Sequence, residues 1–112
     1  MELIWHNIIT NCISMFAYSN YTTEIDLSEF VSSNITSMSK MFYNCISLVS
    51  INLSNFDTSK VTEMLSLFCR CRSLVSLDIS NFNTSQVTNM RSIFYGCSLL
   101  TSLNLSRFNT SI

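Results

Sequence analysis

Apolar and polar positions along this chain repeat with a fixed period of 26 residues. The segment Ile25-Asp26-Leu27-Ser28-Glu29-Phe30 returns as Ile51-Asn52-Leu53-Ser54-Asn55-Phe56, as Leu77-Asp78-Ile79-Ser80-Asn81-Phe82 and as Leu103-Asn104-Leu105-Ser106-Arg107-Phe108. The chain divides into units 5–30, 31–56, 57–82 and 83–108 with a stub at 109–112, and it contains no insertion. Such iteration at 20–50 residues marks an architecture built of stacked units, each burying its neighbour's apolar face. The whole chain therefore reads as one repeat domain.

Two shorter periods coexist inside a unit. Leu77 and Ile79 alternate with Ser76, Asp78 and Ser80, the pattern of a half-buried strand. Val61, Met64, Phe68 and Cys71 follow at spacings of 3, 4 and 3, the stripe of a short amphipathic helix. Thr62 stands where an N-cap would accept an orphan amide. The prediction is an α/β fold: a right-handed, leucine-rich-repeat-type solenoid whose four coils each hold a short strand of about four residues and one or two helical turns. Successive strands should pair in parallel, about 4.8 Å apart.

Columns of aligned residues give the core. Phe16, Phe42, Phe68 and Phe94 form one, and Phe30, Phe56, Phe82 and Phe108 another. Ile9, Ile35, Val61 and Val87 share a branched position, and Cys12, Met38, Met64 and Met90 a further apolar one. Unit 1 is the least regular, with Thr22 where the others have Leu48, Leu74 and Leu100.

Composition narrows the function. Charged residues make up 12% of the chain and hydrophobic ones 47%, so the polar surface must come from Ser, Thr and Asn. A net charge of -1 with six Lys+Arg spread thinly argues against nucleic acid, which needs a clustered basic face. With one glycine and no proline, most phosphate-cradling glycine loops are excluded. No run approaches 18 apolar residues, so no membrane span is expected, and residues 1–9 carry no secretory leader pattern.

The run Phe56-Asp57-Thr58-Ser59-Lys60-Val61-Thr62-Glu63-Met64, followed by Phe68, Cys71, Ser73-Leu74 and Ser76-Leu77-Asp78-Ile79-Ser80, resembles the BspA-type leucine-rich-repeat surface proteins. The likeness covers nearly the whole chain and is best in units 3 and 4. It implies a non-catalytic adhesion or protein-interaction role and a location at the cell surface or in the medium. The family brings no catalytic residues with it. Phe56, Phe82 and Phe108 stand where common leucine-rich repeats place a buried Asn or Cys after the strand, so horseshoe curvature does not carry over.

Cys45, Cys71 and Cys97 share a column, and Cys69 makes a C-x-C pair. No paired C-x-x-C exists and His6 is the one histidine, so zinc fits poorly. An odd count of five and parallel side chains also fit a buried small-residue column better than disulfides. Asp26 and Asp78 lie two units apart, about 10 Å by strand spacing, just outside the separation of paired glycosidase carboxylates. No nucleophile–base pair emerges, so neither enzyme, cofactor nor metal is expected.

The outward face of the strands is the candidate binding surface: Ser50, Asn52, Ser54, Ser76, Asp78, Ser80, Ser102, Asn104 and Ser106. Repeat proteins bind partners across such regular faces. The same residues would also simply keep the sheet soluble, and the sequence does not choose between the two roles. The expected partner is a protein or other macromolecule. A spacer segment within a longer array, with end-to-end self-association, is the alternative.

Overall fold

A computed structural model describes residues 9–105, 107 and 108. Four short strands occur in chain order: β1 (Glu24–Asp26), β2 (Ser50–Asn52), β3 (Ser76–Leu77) and β4 (Ser102–Leu103). They form two two-stranded parallel sheets, β1 with β2 and β3 with β4. The register is the repeat itself: Ile25 pairs Ile51, Asp26 pairs Asn52, and Leu77 pairs Leu103. β2 and β3 touch but share no ladder. A second set of parallel bridges joins Asn11 to Ser37, Ser37 to Glu63 and Glu63 to Asn89.

The predicted α/β leucine-rich-repeat-type solenoid is not what the chain forms. Among the described residues there is no helix, and the structure is all-β, of short strands, bridges and turns. The cause lies in the backbone of the segment read as helical. Two positions per unit hold a positive φ: Ser14, Lys40, Ser66 and Ser92 at one, and Tyr18, Asn44, Arg70 and Gly96 at the other. An L-residue in that region cannot continue a right-handed helix. It instead suits the third position of a tight turn, and consecutive turns close from Met64 to Leu67, Ser66 to Cys69 and Phe68 to Cys71.

Amides then alternate between two uses. Leu67, Cys69 and Cys71 donate within their own turns, whereas Met64, Ser66, Phe68 and Arg70 donate to Asn89, Arg91, Ile93 and Tyr95 of the next unit. The same alternation runs from Met38 to Cys45. Each of these amides thus has a partner without any i to i−4 bond. Thr62 is not an N-cap: its amide and its hydroxyl both donate to the Thr36 carbonyl one unit back, at 2.8 and 3.2 Å.

The core columns are where the sequence placed them, except that Ile9 of unit 1 is exposed. Val61, Met64, Phe68 and Cys71 are fully buried, because the turn segment sends its apolar side chains inward with nearly helical spacing. Phe16, Phe42, Phe68 and Phe94 form a stacked ladder with ring centres 5.5 to 5.8 Å apart, in the range of favourable offset stacking. The second ladder stacks Phe30 on Phe56 and Phe82 on Phe108. Every buried side-chain polar atom among the described residues has a partner.

Candidate functional site

The strand face is built by alternation. In β2, Ile51 points into the core while Ser50 and Asn52 are exposed; in β3, Leu77 is buried and Ser76 exposed. The parallel register therefore brings Ser50 beside Glu24, Asn52 beside Asp26, and Ser102 beside Ser76. Of the nine expected site residues, Ser50, Asn52, Ser54, Ser76, Asp78, Ser102 and Asn104 are exposed, and Ser80 is half-buried. Ser106 lies outside the described residues. Ser76, Leu77, Asp78, Ser102 and Asn104 line a shallow depression of about 320 Å³ between β3 and β4.

The acidic and amide column has a structural task that alternation alone does not reveal. The carboxylate Oδ1 of Asp26 accepts the amide of Ser28 at 2.9 Å, Asn52 Oδ1 accepts that of Ser54 at 3.0 Å, and Asp78 Oδ1 accepts that of Ser80 at 3.1 Å. These are Asx turns, in which the side chain mimics a backbone carbonyl and bends the chain out of the strand. The same device recurs at Asp57 with Ser59 and at Asn83 with Ser85. The sequence signal was present as Asp or Asn two residues before Ser in each unit, hidden beneath the two-residue period of the strand.

These bonds also set the charge of the face. The hydroxyl and amide of Ser80 hold the Asp78 carboxyl below the usual carboxylate range. The amide and hydroxyl of Ser28 do the same for Asp26. Hydrogen bonds to an anion favour its ionised form, so both side chains stay negative into mildly acidic solution. The depression thus presents one fixed carboxylate, hydroxyls of Ser76 and Ser102, and the Asn104 amide group.

The cysteine column is inward and separate from this face. All five described cysteines are free. The thiols of Cys45, Cys71 and Cys97 donate to the carbonyls of Phe16, Phe42 and Phe68 at 3.1, 3.2 and 3.0 Å. Burial pushes the Cys45, Cys71 and Cys97 thiols above their ordinary range, so the proton is retained and the nucleophilic thiolate suppressed. Each thiol ties one unit to the Phe ladder of the preceding unit. No His, Cys, Asp and Glu group suited to a metal occurs among the described residues.

A hydroxyl column missed in the sequence locks the units together. Thr58 is 1% exposed. Its Oγ1 donates to the Asn83 carbonyl at 3.0 Å and accepts the Asn83 amide at 2.8 Å. Ser32 occupies the equivalent place one unit earlier and accepts the Asp57 amide at 2.7 Å. Asn81 adds a second lock, its Nδ2 reaching the carbonyls of Leu53 and Phe56 at 3.1 and 3.0 Å.

With the unit and its face described, comparison with known proteins is decisive on family alone. The sequence pattern of the family described as Mycoplasma protein of unknown function, DUF285, matches residues 10–112. The chain belongs to that family. No curated protein and no solved structure matches it. The DUF285 match takes in units 2 to 4 entirely and most of unit 1, so the recurring face is a property of the matched region. No helix among the described residues is long and apolar enough to cross a membrane.

Proposed function

We propose that this DUF285 chain is a non-catalytic protein-interaction module of the BspA-type surface class, displayed at the cell surface and engaging a partner through the strand face. The observation that supports this reading is the face itself: exposed Asn52 sits beside Asp26 in one sheet, exposed Ser102 beside Ser76 in the other, and exposed Asp78 and Asn104 directly follow those last two strands. Iterated short polar side chains on a rigid ladder suit a flat macromolecular surface, which repeat proteins characteristically bind. The shallow depression at Asp78 and Asn104 lacks the enclosure of small-molecule sites.

Panning a peptide library on the folded chain, and measuring the recovered binders by calorimetry, tests the assignment. The combined replacement of Ser50, Ser76 and Ser102 by Ala should weaken those binders about tenfold or more, or about 1.4 kcal/mol. It should do so with an unchanged far-ultraviolet spectrum. Asp78 is left in place because it holds a turn. Undiminished binding by the folded triple variant would remove the strand face from the proposal.

A second reading, a spacer within an end-to-end array, is favoured by the directionality of the inter-unit bonds. The amides of Met90, Ser92, Phe94 and Gly96 occupy the positions whose counterparts Met64, Ser66, Phe68 and Arg70 donate to the following unit. The carbonyls of Asn11, Ile13, Met15 and Ala17 occupy the positions whose counterparts Ser37, Ser39, Met41 and Tyr43 accept from the preceding one. Donors on one side of a unit and acceptors on the other are complementary, the pattern of a heterologous head-to-tail contact. Light scattering should show association that rises with protein concentration and is suppressed by Phe94→Glu. A monomer at every concentration would count against this reading.

A further inference from the structure

We infer that the turn edge of the units is a second interaction surface, which takes an acidic stretch of a protein partner on Lys40, Arg70 and Arg91 with Tyr18, Tyr43 and Tyr95. It is independent of the strand face. The chain has six Lys+Arg, and four of them, Lys40, Arg70, Arg72 and Arg91, fall in the turn segment that precedes the strand in each unit. None of the seven Asp+Glu falls within the turns themselves; Glu63 stands just before them in unit 3, bridged to Asn89, and Glu24, Asp26, Glu29 and Asp78 lie on or beside the strands. Cations thus gather in the turns and carboxylates near the strands, with Arg107 and Glu63 among the exceptions.

Contacts within the cluster join unit 1 to unit 2 and unit 3 to unit 4. Tyr18 of unit 1 packs edge-on against Tyr43 of unit 2, with ring centres 5.5 Å apart. Lys40 Nζ lies 5.5 Å from the centre of the Tyr43 ring. In unit 3, Arg70 donates its amide to the Tyr95 carbonyl of unit 4 at 2.6 Å. Its Cγ lies 3.1 Å from where a Cβ on Gly96 would sit, so the missing side chain at Gly96 leaves room for the guanidinium stem.

The cluster has the chemistry of an unsatisfied interface. Lys40, Arg70, Arg72 and Arg91 are all exposed, and no described carboxylate pairs with any of them. Tyr18 and Tyr95 are 62% and 64% exposed. Tyr and Arg are the side chains that most often dominate binding energy at protein interfaces, and the planar guanidinium matches a carboxylate with two parallel bonds. Lys40, Arg70 and Arg91 belong to successive units but stand at three different positions of the unit.

The test is fluorescence anisotropy of a labelled oligoglutamate peptide titrated with the whole chain at low and high salt. An oligoglutamine peptide of equal length and phosphatidylserine vesicles are run beside it. Binding of oligoglutamate should weaken with salt, and should fall about tenfold or more in Arg70→Glu and in Arg91→Glu. Lys60→Glu, the same charge change at a lysine that instead reaches Asn34, should change it less than about twofold. Two charge reversals in different units, each checked for a native circular dichroism spectrum, keep a folding defect distinguishable from lost binding. The proposal is overturned if oligoglutamine binds equally well, if Lys60→Glu is as damaging as Arg70→Glu, or if only the vesicles bind.

Discussion

Phe68→Ala is expected to lower the unfolding free energy by about 3–5 kcal/mol, the largest single effect in the chain. Phe68 is fully buried and stacks on Phe42 at 5.5 Å and on Phe94 at 5.8 Å, with both ring pairs nearly parallel. Truncation removes the transfer energy of a benzyl group, breaks two ring contacts worth about 0.5–1.5 kcal/mol each and leaves a cavity between rings held by their own units. Collapse into that cavity is restricted, because the backbone on either side is fixed by bonds from Phe42 to Leu67 and from Phe68 to Ile93. The Cys97 thiol also donates to the Phe68 carbonyl, so the surroundings resist repacking. Phe94→Ala should cost distinctly less, since Phe94 is half-buried and stacks on one ring in the described ladder. Urea denaturation of the two variants checks both statements, and equal losses at the two positions would refute the ladder as the source of the effect.

Thr58→Val is expected to destabilise by about 2–4 kcal/mol, although it conserves shape. The hydroxyl of Thr58 serves both the amide and the carbonyl of Asn83. Valine leaves those two backbone groups without that partner, and an unsatisfied buried group costs about 1–3 kcal/mol. The methyl that replaces the hydroxyl returns part of this through burial, which sets the upper end below the simple sum. Thr58→Ser keeps the hydroxyl and should cost about 1 kcal/mol, the lost methyl alone. Chemical denaturation of the pair separates hydrogen bonding from packing. A valine variant as stable as the serine variant would show that the bond to Asn83 contributes little.

The polar strand face was legible because strand alternation is a property of local geometry: once Leu77 is inward, Ser76 and Asp78 must be outward. The structural duty of Asp78 and Asn52 as Asx-turn acceptors was not, because an outward polar residue has the same pattern whether it binds a partner or its own chain. The basic and tyrosine-bearing edge escaped notice for a different reason. Lys40, Arg70 and Arg91 are far apart in sequence and stand at three different places in the unit, so only a known path for the turn segment collects them.

What the sequence by itself determined is the 26-residue register and the membership of the core. Parallel pairing of Ile25 with Ile51 and of Leu77 with Leu103, the burial of Met64, Phe68 and Cys71, and the stacking of aligned phenylalanines all follow from columns of like residues seeking the same neighbours. Only the tertiary structure decided how the backbone runs between those anchors. An apolar stripe at spacings of 3 and 4 is compatible with a helix and with successive tight turns, since both return a side chain to the core at nearly the same interval. The choice fell to the turns because amides such as those of Ser66, Phe68 and Arg70 find acceptors on the next unit, bonds that a helix would have spent within itself. That gain offsets the cost of holding Ser66 and Arg70 at positive φ, about 1–2 kcal/mol for each such residue. No window of a single unit can show it, because the acceptors belong to the neighbour.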